Sequence, residues 1–283
     1  MSGVTASSAM IENIEYQVVK TKNGQVGYCH AGQGRPLILI VGYSGTLYHW
    51  NKLFVSELAK YFGVYLVDNR LIGLSTSTNE YSMRGMAEDI VDFIRAKELV
   101  QPLLFGWSMG GVITQTIIKA YPDLVAGVAL LATVPHPRYT NLEFLNLVAN
   151  TQQLGANEFR QQLYGMFFSE APRAELKDLI TSAALNIENY HYRFNFDAKE
   201  LQDYAVVAWP GMDELDLAQI TVPVLILRAR NDLVVAEAAS EVLAATIPQA
   251  KLIVYPAGGH FFLHRSPLMV AHDVVNFFTH WGI

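Results

Sequence analysis

The pentapeptide Gly106-Trp107-Ser108-Met109-Gly110, with Gly111 behind it, constrains this chain more than any other stretch. An apolar run, Pro102–Phe105, leads directly into it. A helical pattern from Gly110 to Tyr121 follows and is stopped by Pro122. A strand that turns this sharply into a helix strains its backbone at the serine, and only small residues two positions to either side let the chain approach itself so closely. The turn lifts the hydroxyl off the end of a sheet. The helix that follows points its unpaired N–H groups at the same place, where they favour developing negative charge. Glycine and serine are common in loops, so the spacing alone is a weak signal. The strand before it and the helix after it make Ser108 a candidate nucleophile.

A serine hydroxyl is a poor nucleophile until a base takes its proton. His260 ends the loop Pro256-Ala257-Gly258-Gly259-His260 after the strand-like run Lys251–Tyr255, and the two glycines let the backbone bend the ring over the sheet edge. Of the eight histidines, His264 is the nearest competitor, but it does not end the Gly-Gly turn. An imidazole base needs a partner that holds one tautomer and balances its charge. Asp232, in Arg230-Asn231-Asp232 after the run Val222–Leu227, suits that role; an aspartate there is also an ordinary turn or helix-capping residue. Each of the three follows a sheet strand, in the order Ser108, Asp232, His260, and open α/β sheets place their sites at those strand ends. Acyl transfer also needs oxyanion donors. The backbone N–H of Met109 is one candidate, and Tyr43, in Gly42-Tyr43-Ser44-Gly45-Thr46 after Pro36–Val41, is the second.

Around these motifs the chain alternates short apolar runs with helical patterns. Pro36–Val41, Val64–Val67, Pro102–Phe105 and Val125–Leu131 are apolar on both faces, which suits the interior of a parallel sheet. Tyr16–Lys20 and Val26–His30, joined by Lys22-Asn23-Gly24, predict an opening antiparallel pair. From about Pro135 to Leu217 the strand pattern is lost, and helices are expected over Asn141–Leu154, Asn157–Phe168, Pro172–Asn186 and Ala198–Ala208. Alternation then resumes to the end. The expected architecture is α/β: a doubly wound, mostly parallel, eight-stranded sheet formed by residues 1–134 and 218–283, with an all-helical cap inserted over 135–217.

Composition narrows the function classes. Apolar residues make up 51% and charged residues 16% of the 283, the balance of a chain with a large core. A net charge of −6 repels phosphate backbones, so nucleic acid is not an expected partner. The single cysteine, Cys29, excludes an internal disulfide and a cysteine-rich metal site. No uncharged apolar run reaches the roughly 18–20 residues of a membrane span, and the first ten residues lack the pattern of a secretory leader. These features predict a soluble cytoplasmic protein, monomer or homodimer, without membrane contact, metal or cofactor.

Taken together, the motifs resemble those of the α/β-hydrolase superfamily with a helical cap, over essentially the whole chain. Gly106–Gly110 matches its nucleophile elbow; Asp68-Asn69-Arg70-Leu71-Ile72-Gly73-Leu74-Ser75 is similar to the segment after its fourth strand; Pro223, Asp232 and Gly259-His260 match its later motifs. Two departures are Val41-Gly42, where many relatives have His-Gly, and Leu71, where glycine is usual. Gly-x-Ser-Met-Gly resembles the elbow of small-molecule carboxylesterases, enol-lactonases and cofactor-free haloperoxidases. The resemblance implies a serine hydrolase that cleaves a small, apolar ester, lactone or thioester through an acyl-enzyme, with Trp107, His136 and Trp209 among the candidate pocket walls. Two alternatives remain. One is C–C bond or enol-lactone hydrolysis, served by a cation such as Arg138 or Arg193. The other is a ligand-binding signalling protein with little turnover.

Overall fold

The structure, a computed structural model, describes residues 11, 13–150, 154–168, 184–190 and 196–283. Eight strands of five or more residues run through it: β1 (Ile14–Thr21), β2 (Gly24–Ala31), β3 (Pro36–Ile40), β4 (Gly63–Val67), β6 (Leu103–Trp107), β7 (Gly127–Leu131), β9 (Val224–Ala229) and β10 (Ala250–Tyr255). Two dipeptide strands, β5 (Thr76–Ser77) and β8 (Ile187–Glu188), bring the sheet to ten. Its order is β10-β9-β7-β6-β3-β4-β2-β1-β8, with β5 beside β2. Neighbours from β10 to β4 are parallel, and β4, β2 and β1 pair antiparallel.

The expected eight-stranded sheet is thus enlarged by two pieces too short to leave a period in the sequence. The inserted region also departs from the all-helical expectation, because Ile187–Glu188 pairs with Ile14–Glu15 and covers the outer edge of β1. Of the helix expected over Pro172–Asn186, residues 172–183 lie outside the described residues, and Ala184–Asn186 are not helical.

The helices follow from capping and amphipathicity. After α1 (Lys52–Leu58) comes α2 (Met83–Ala96), capped by the Ser82 hydroxyl, which accepts from Gly85 N–H; it buries Met86, Ile90, Phe93 and Ile94. In α3 (Met109–Ala120), nearly every side chain through Ile118 is buried, because the helix lies between the sheet and α2. Among the described residues, four α-helices intervene between β7 and β9: α4 (Leu142–Ala149), α5 (Ala156–Phe167), α6 (Phe196–Ala208) and α7 (Glu214–Ala218). The chain closes with α8 (Glu237–Thr246), α9 (Phe262–Arg265) and α10 (Pro267–His280). No helix among the described residues is long and apolar enough to cross a membrane.

The topology fixes where a ligand can bind. From β3 the chain winds one way to β4, then returns to place β6 on the other side of β3. At that reversal the loops after β3 and β6 diverge and leave a crevice beyond the carboxyl ends of the strands. Gly42-Tyr43 and Ser108 stand on its two lips.

Candidate active site

Ser108 links β6 to α3 with φ +55° and ψ −119°, a conformation that side-chain-bearing residues rarely adopt. Its surroundings hold it there. Ser108 N–H donates to Leu131 O at 2.8 Å, and its own carbonyl accepts from Gly111 N–H at 2.8 Å and Thr133 Oγ1 at 2.7 Å. The flanking glycines are sterically required: a Cβ on Gly106 would lie 2.4 Å from Gly110 O, and one on Gly110 would lie 2.0 Å from Ile40 O. Met109 is the first residue of α3, so its N–H is one of those a helix leaves without an internal partner.

Across the crevice, a Cβ on Gly42 would lie 2.9 Å from Ser108 Cβ, so glycine lets the β3 loop approach the serine. That loop is held from two sides. Asn69 Nδ2 donates to Val41 O at 2.9 Å from below. From above, α6 supplies Gln202 Oε1, which accepts from Ser44 N–H at 2.7 Å, and Asp203, which accepts from the Tyr43 hydroxyl. Lys199, buried on the same helix, pairs with Asp203 at 2.5 Å. Burial, then the neighbouring Asp203 carboxylate, pushes the Tyr43 phenol well above its usual range, so the hydroxyl stays a donor.

Asp232 divides its two carboxylate oxygens between two tasks. Oδ1 accepts from Val234 N–H at 2.8 Å and Val235 N–H at 3.0 Å, the turn-forming role that aspartates often fill. Oδ2 meets His260 Nδ1 at 2.9 Å. His260 sits in a tight turn, Gly259–Phe261, entered through Gly258 at φ +119°. A Cβ on Gly258 would lie 2.6 Å from Phe262 Cβ, so the Gly-Gly step is a packing requirement as well as a bend. With Nδ1 engaged, Nε2 is the ring nitrogen left for chemistry. The ring is 1% exposed and stacks on Phe167 at 5.2 Å.

Ser108 and His260 border one cavity of about 320 Å³, walled largely by Phe144, Phe159, Leu163, Phe167 and Phe261. Trp107 also lines it, wedged against Phe261 at 4.6 Å. Ser108 borders a second cavity as well, of about 50 Å³, which Trp209 lines together with Met109, Val112 and Val206. His136 lines neither cavity. Its Nδ1 accepts from Arg138 N–H at 3.1 Å, and its ring packs over Gly211, where a Cβ would come within 2.5 Å. The expected pocket role of His136 is therefore replaced by a capping one. His264 lies behind the site, its Nδ1 3.5 Å from Asn51 Nδ2 and its ring stacked on Phe261. Burial holds it down to about 3, so the ring is neutral.

The alpha/beta hydrolase fold family matches residues 35–267. This chain belongs to that family. Among relatives, Esterase YbfF of Escherichia coli is 25% identical over 241 residues, 82% of this chain and 88% of that protein. Among solved structures, a thermophilic esterase from Thermogutta terrifontis superposes with a TM-score of 0.78 at 21% identity, covering 94% of this chain and 98% of its own. A meta-cleavage product hydrolase from Pseudomonas fluorescens IP01 does so at 0.75 and 20%, covering 93% and 97%. The alpha/beta hydrolase members thus share the core described here.

Sequence reasoning missed the apolar walls Phe144, Phe159, Leu163 and Phe261 and four polar residues: His49 on the wall of the larger cavity, and Lys199, Gln202 and Asp203 on α6. His49 had a local signal. It closes a capping box in which Thr46 N–H donates to its Nδ1 at 3.0 Å. The α6 residues had none, since Lys, Gln and Asp at helical spacing read as a solvated face.

Proposed function

We propose that this alpha/beta hydrolase is a serine esterase in which Ser108 attacks, His260 moves the proton and Asp232 orients and balances the imidazole. The observation that carries this reading is the 2.9 Å His260–Asp232 hydrogen bond on the wall of the apolar cavity that also exposes Ser108. Ser108 Oγ gives its proton to His260 Nε2 as it bonds to the ester carbonyl carbon. The Met109 and Tyr43 N–H groups receive the oxyanion, at the positive end of α3. The tetrahedral adduct collapses, the carbon–oxygen bond to the alcohol breaks, and the alkoxide takes the proton from Nε2. Water repeats the sequence on the acyl-serine and releases the carboxylic acid.

Cleavage of a C–C bond or enol-lactone with acidic groups asks for a cation in the pocket. Arg138 is exposed over the Tyr139 ring, Lys199 is paired with Asp203, and Arg193 lies outside the described residues. The ester reading is the one the apolar walls support. Hydrolysis of p-nitrophenyl esters from acetyl to dodecanoyl by the wild type and by Ser108→Ala tests it. The expected result is turnover that falls by at least about a thousandfold in the variant, with the thermal midpoint retained. Absence of Ser108-dependent turnover on every ester overturns it and favours a ligand-binding role.

A further inference from the structure

The two cavities at Ser108 differ about sixfold in volume, 320 Å³ against 50 Å³. They differ also in which of the proposed reacting groups they touch. His260 borders the larger cavity, while Met109, the first oxyanion donor, borders the smaller; Ser108 and Tyr43 border both. An ester bound for attack has its carbonyl carbon at Ser108 Oγ and extends two substituents from it. The alcohol oxygen must come within hydrogen-bond reach of His260 Nε2, because that nitrogen protonates it as the bond breaks. The alcohol half therefore lies on the His260 side, in the larger cavity. The acyl substituent, on the opposite side of the carbonyl, is left with the smaller.

The walls make this asymmetry firm. The small cavity is bounded by α3 at Val112, by Thr133 and Val134 after β7, by Val234–Val235 beyond Asp232, and by Val206 and Trp209. Val112, Thr133, Val134 and Val234 are buried and belong to the core rather than to exposed loops. A space of 50 Å³ admits about four water-sized groups, which matches an acyl chain of two to four carbons. The larger cavity is aromatic and apolar and suits a bulky uncharged alcohol.

We infer that the enzyme takes esters of a short-chain acid with a large apolar, preferably aryl-bearing, alcohol. The inference rests on the serine esterase reading and adds which half of the ester is large. In the first step the Ser108 Oγ–carbonyl bond forms, the carbonyl–alkoxy bond breaks, and the alcohol leaves with the proton that Ser108 had given His260. The enzyme is left carrying a two- to four-carbon acyl group. Departure of the alcohol empties the larger cavity on the His260 side, which is where the deacylating water must enter to be deprotonated by Nε2.

Isomeric esters separate the two halves without changing composition. 2-Phenylethyl acetate and ethyl phenylacetate contain the same atoms, and so do hexyl acetate and ethyl hexanoate; within each pair only the side carrying the bulk differs. The expected result is kcat/KM at least about tenfold higher for the acetate of each pair, a difference of roughly 1.4 kcal/mol in the barrier. Val206→Ala, which enlarges the small cavity, narrows that ratio by raising turnover of ethyl phenylacetate. Ser108-dependent cleavage with equal or reversed preference overturns the assignment while leaving the esterase reading intact. Absence of Ser108-dependent cleavage of all four esters overturns both.

Discussion

At the scale of single residues, the site works by giving each polar atom one task. Asp232 shows it best. Two backbone amides occupy Oδ1, so the carboxylate cannot swing, and Oδ2 is left facing His260 Nδ1. An amide in its place keeps an oxygen for the two backbone donors and puts an N–H₂ or the wrong hydrogen-bonding sense against the ring, which then adopts the tautomer that cannot accept from serine. Asp232→Asn is therefore expected to lower kcat by about 10⁴-fold with a thermal midpoint close to that of the wild type. Circular-dichroism melting alongside ester kinetics checks both halves. A variant that melts early and loses activity in proportion indicates a turn residue and nothing more. Leu71, where the family pattern would place glycine, holds φ +62°, a left-handed conformation that glycine adopts without steric cost.

At the scale of elements, α6 is the part that sequence reasoning undervalued. Its expected limits were near those found, yet its role was hidden, because burial of Lys199 and Gln202 arises only when the helix docks on the β3 loop. No period in the sequence records which solvent-like face will be covered. The strands were legible for the opposite reason: Leu37–Ile40, Leu103–Phe105 and Val128–Leu131 are buried on both faces, and a continuous apolar run is the imprint of that burial. His136 misled because it follows β7 toward the site, whereas its backbone turns it onto Gly211. The brace itself is testable. Gln202→Ala removes the acceptor from Ser44 N–H and frees the loop next to the proposed oxyanion donor Tyr43. The expected loss in kcat is about tenfold, less than the hundredfold or more for deleting a donor outright. Gln202→Glu, which restores an acceptor oxygen, recovers most of it, and the pH profile keeps its midpoint in both. Alanine with unchanged kcat shows that the loop holds itself.

At the scale of the whole molecule, two buried groups give stability opposite dependences on pH. His264 is held down to about 3, so below the ordinary imidazole range the unfolded chain binds a proton that the folded one refuses. Its contribution is complete above about 6.5 and is lost as pH falls toward 3. Asp68 is buried between the hydroxyls of Tyr16 and Tyr190, and burial pushes it up to about 7. There the folded chain keeps a proton that the unfolded one has released, so stability is complete below about 4 and declines as pH rises through 7. Urea midpoints from pH 4.5 to 7.5 separate the two. The difference between wild type and His264→Phe is expected to grow with pH up to about 6.5, and that between wild type and Asp68→Asn to shrink toward 7. Parallel curves for all three proteins show that neither group is shifted.

The hydrogen bonds from α6 to the β3 loop bear on how such an enzyme can be rebuilt. They join residues 158 and 160 positions apart, one partner in the sheet half that carries Ser108 and the other in the stretch inserted before Asp232 and His260. The insertion is therefore no interchangeable cover. A chimera that grafts foreign helices onto this sheet inherits the serine, the aspartate and the histidine, yet leaves Tyr43 and Ser44 without their anchors. Exchange of specificity by swapping this segment must carry along the consecutive glutamine and aspartate that face the loop, or begin with a proposed nucleophile whose proposed charge-receiving neighbour has lost its footing.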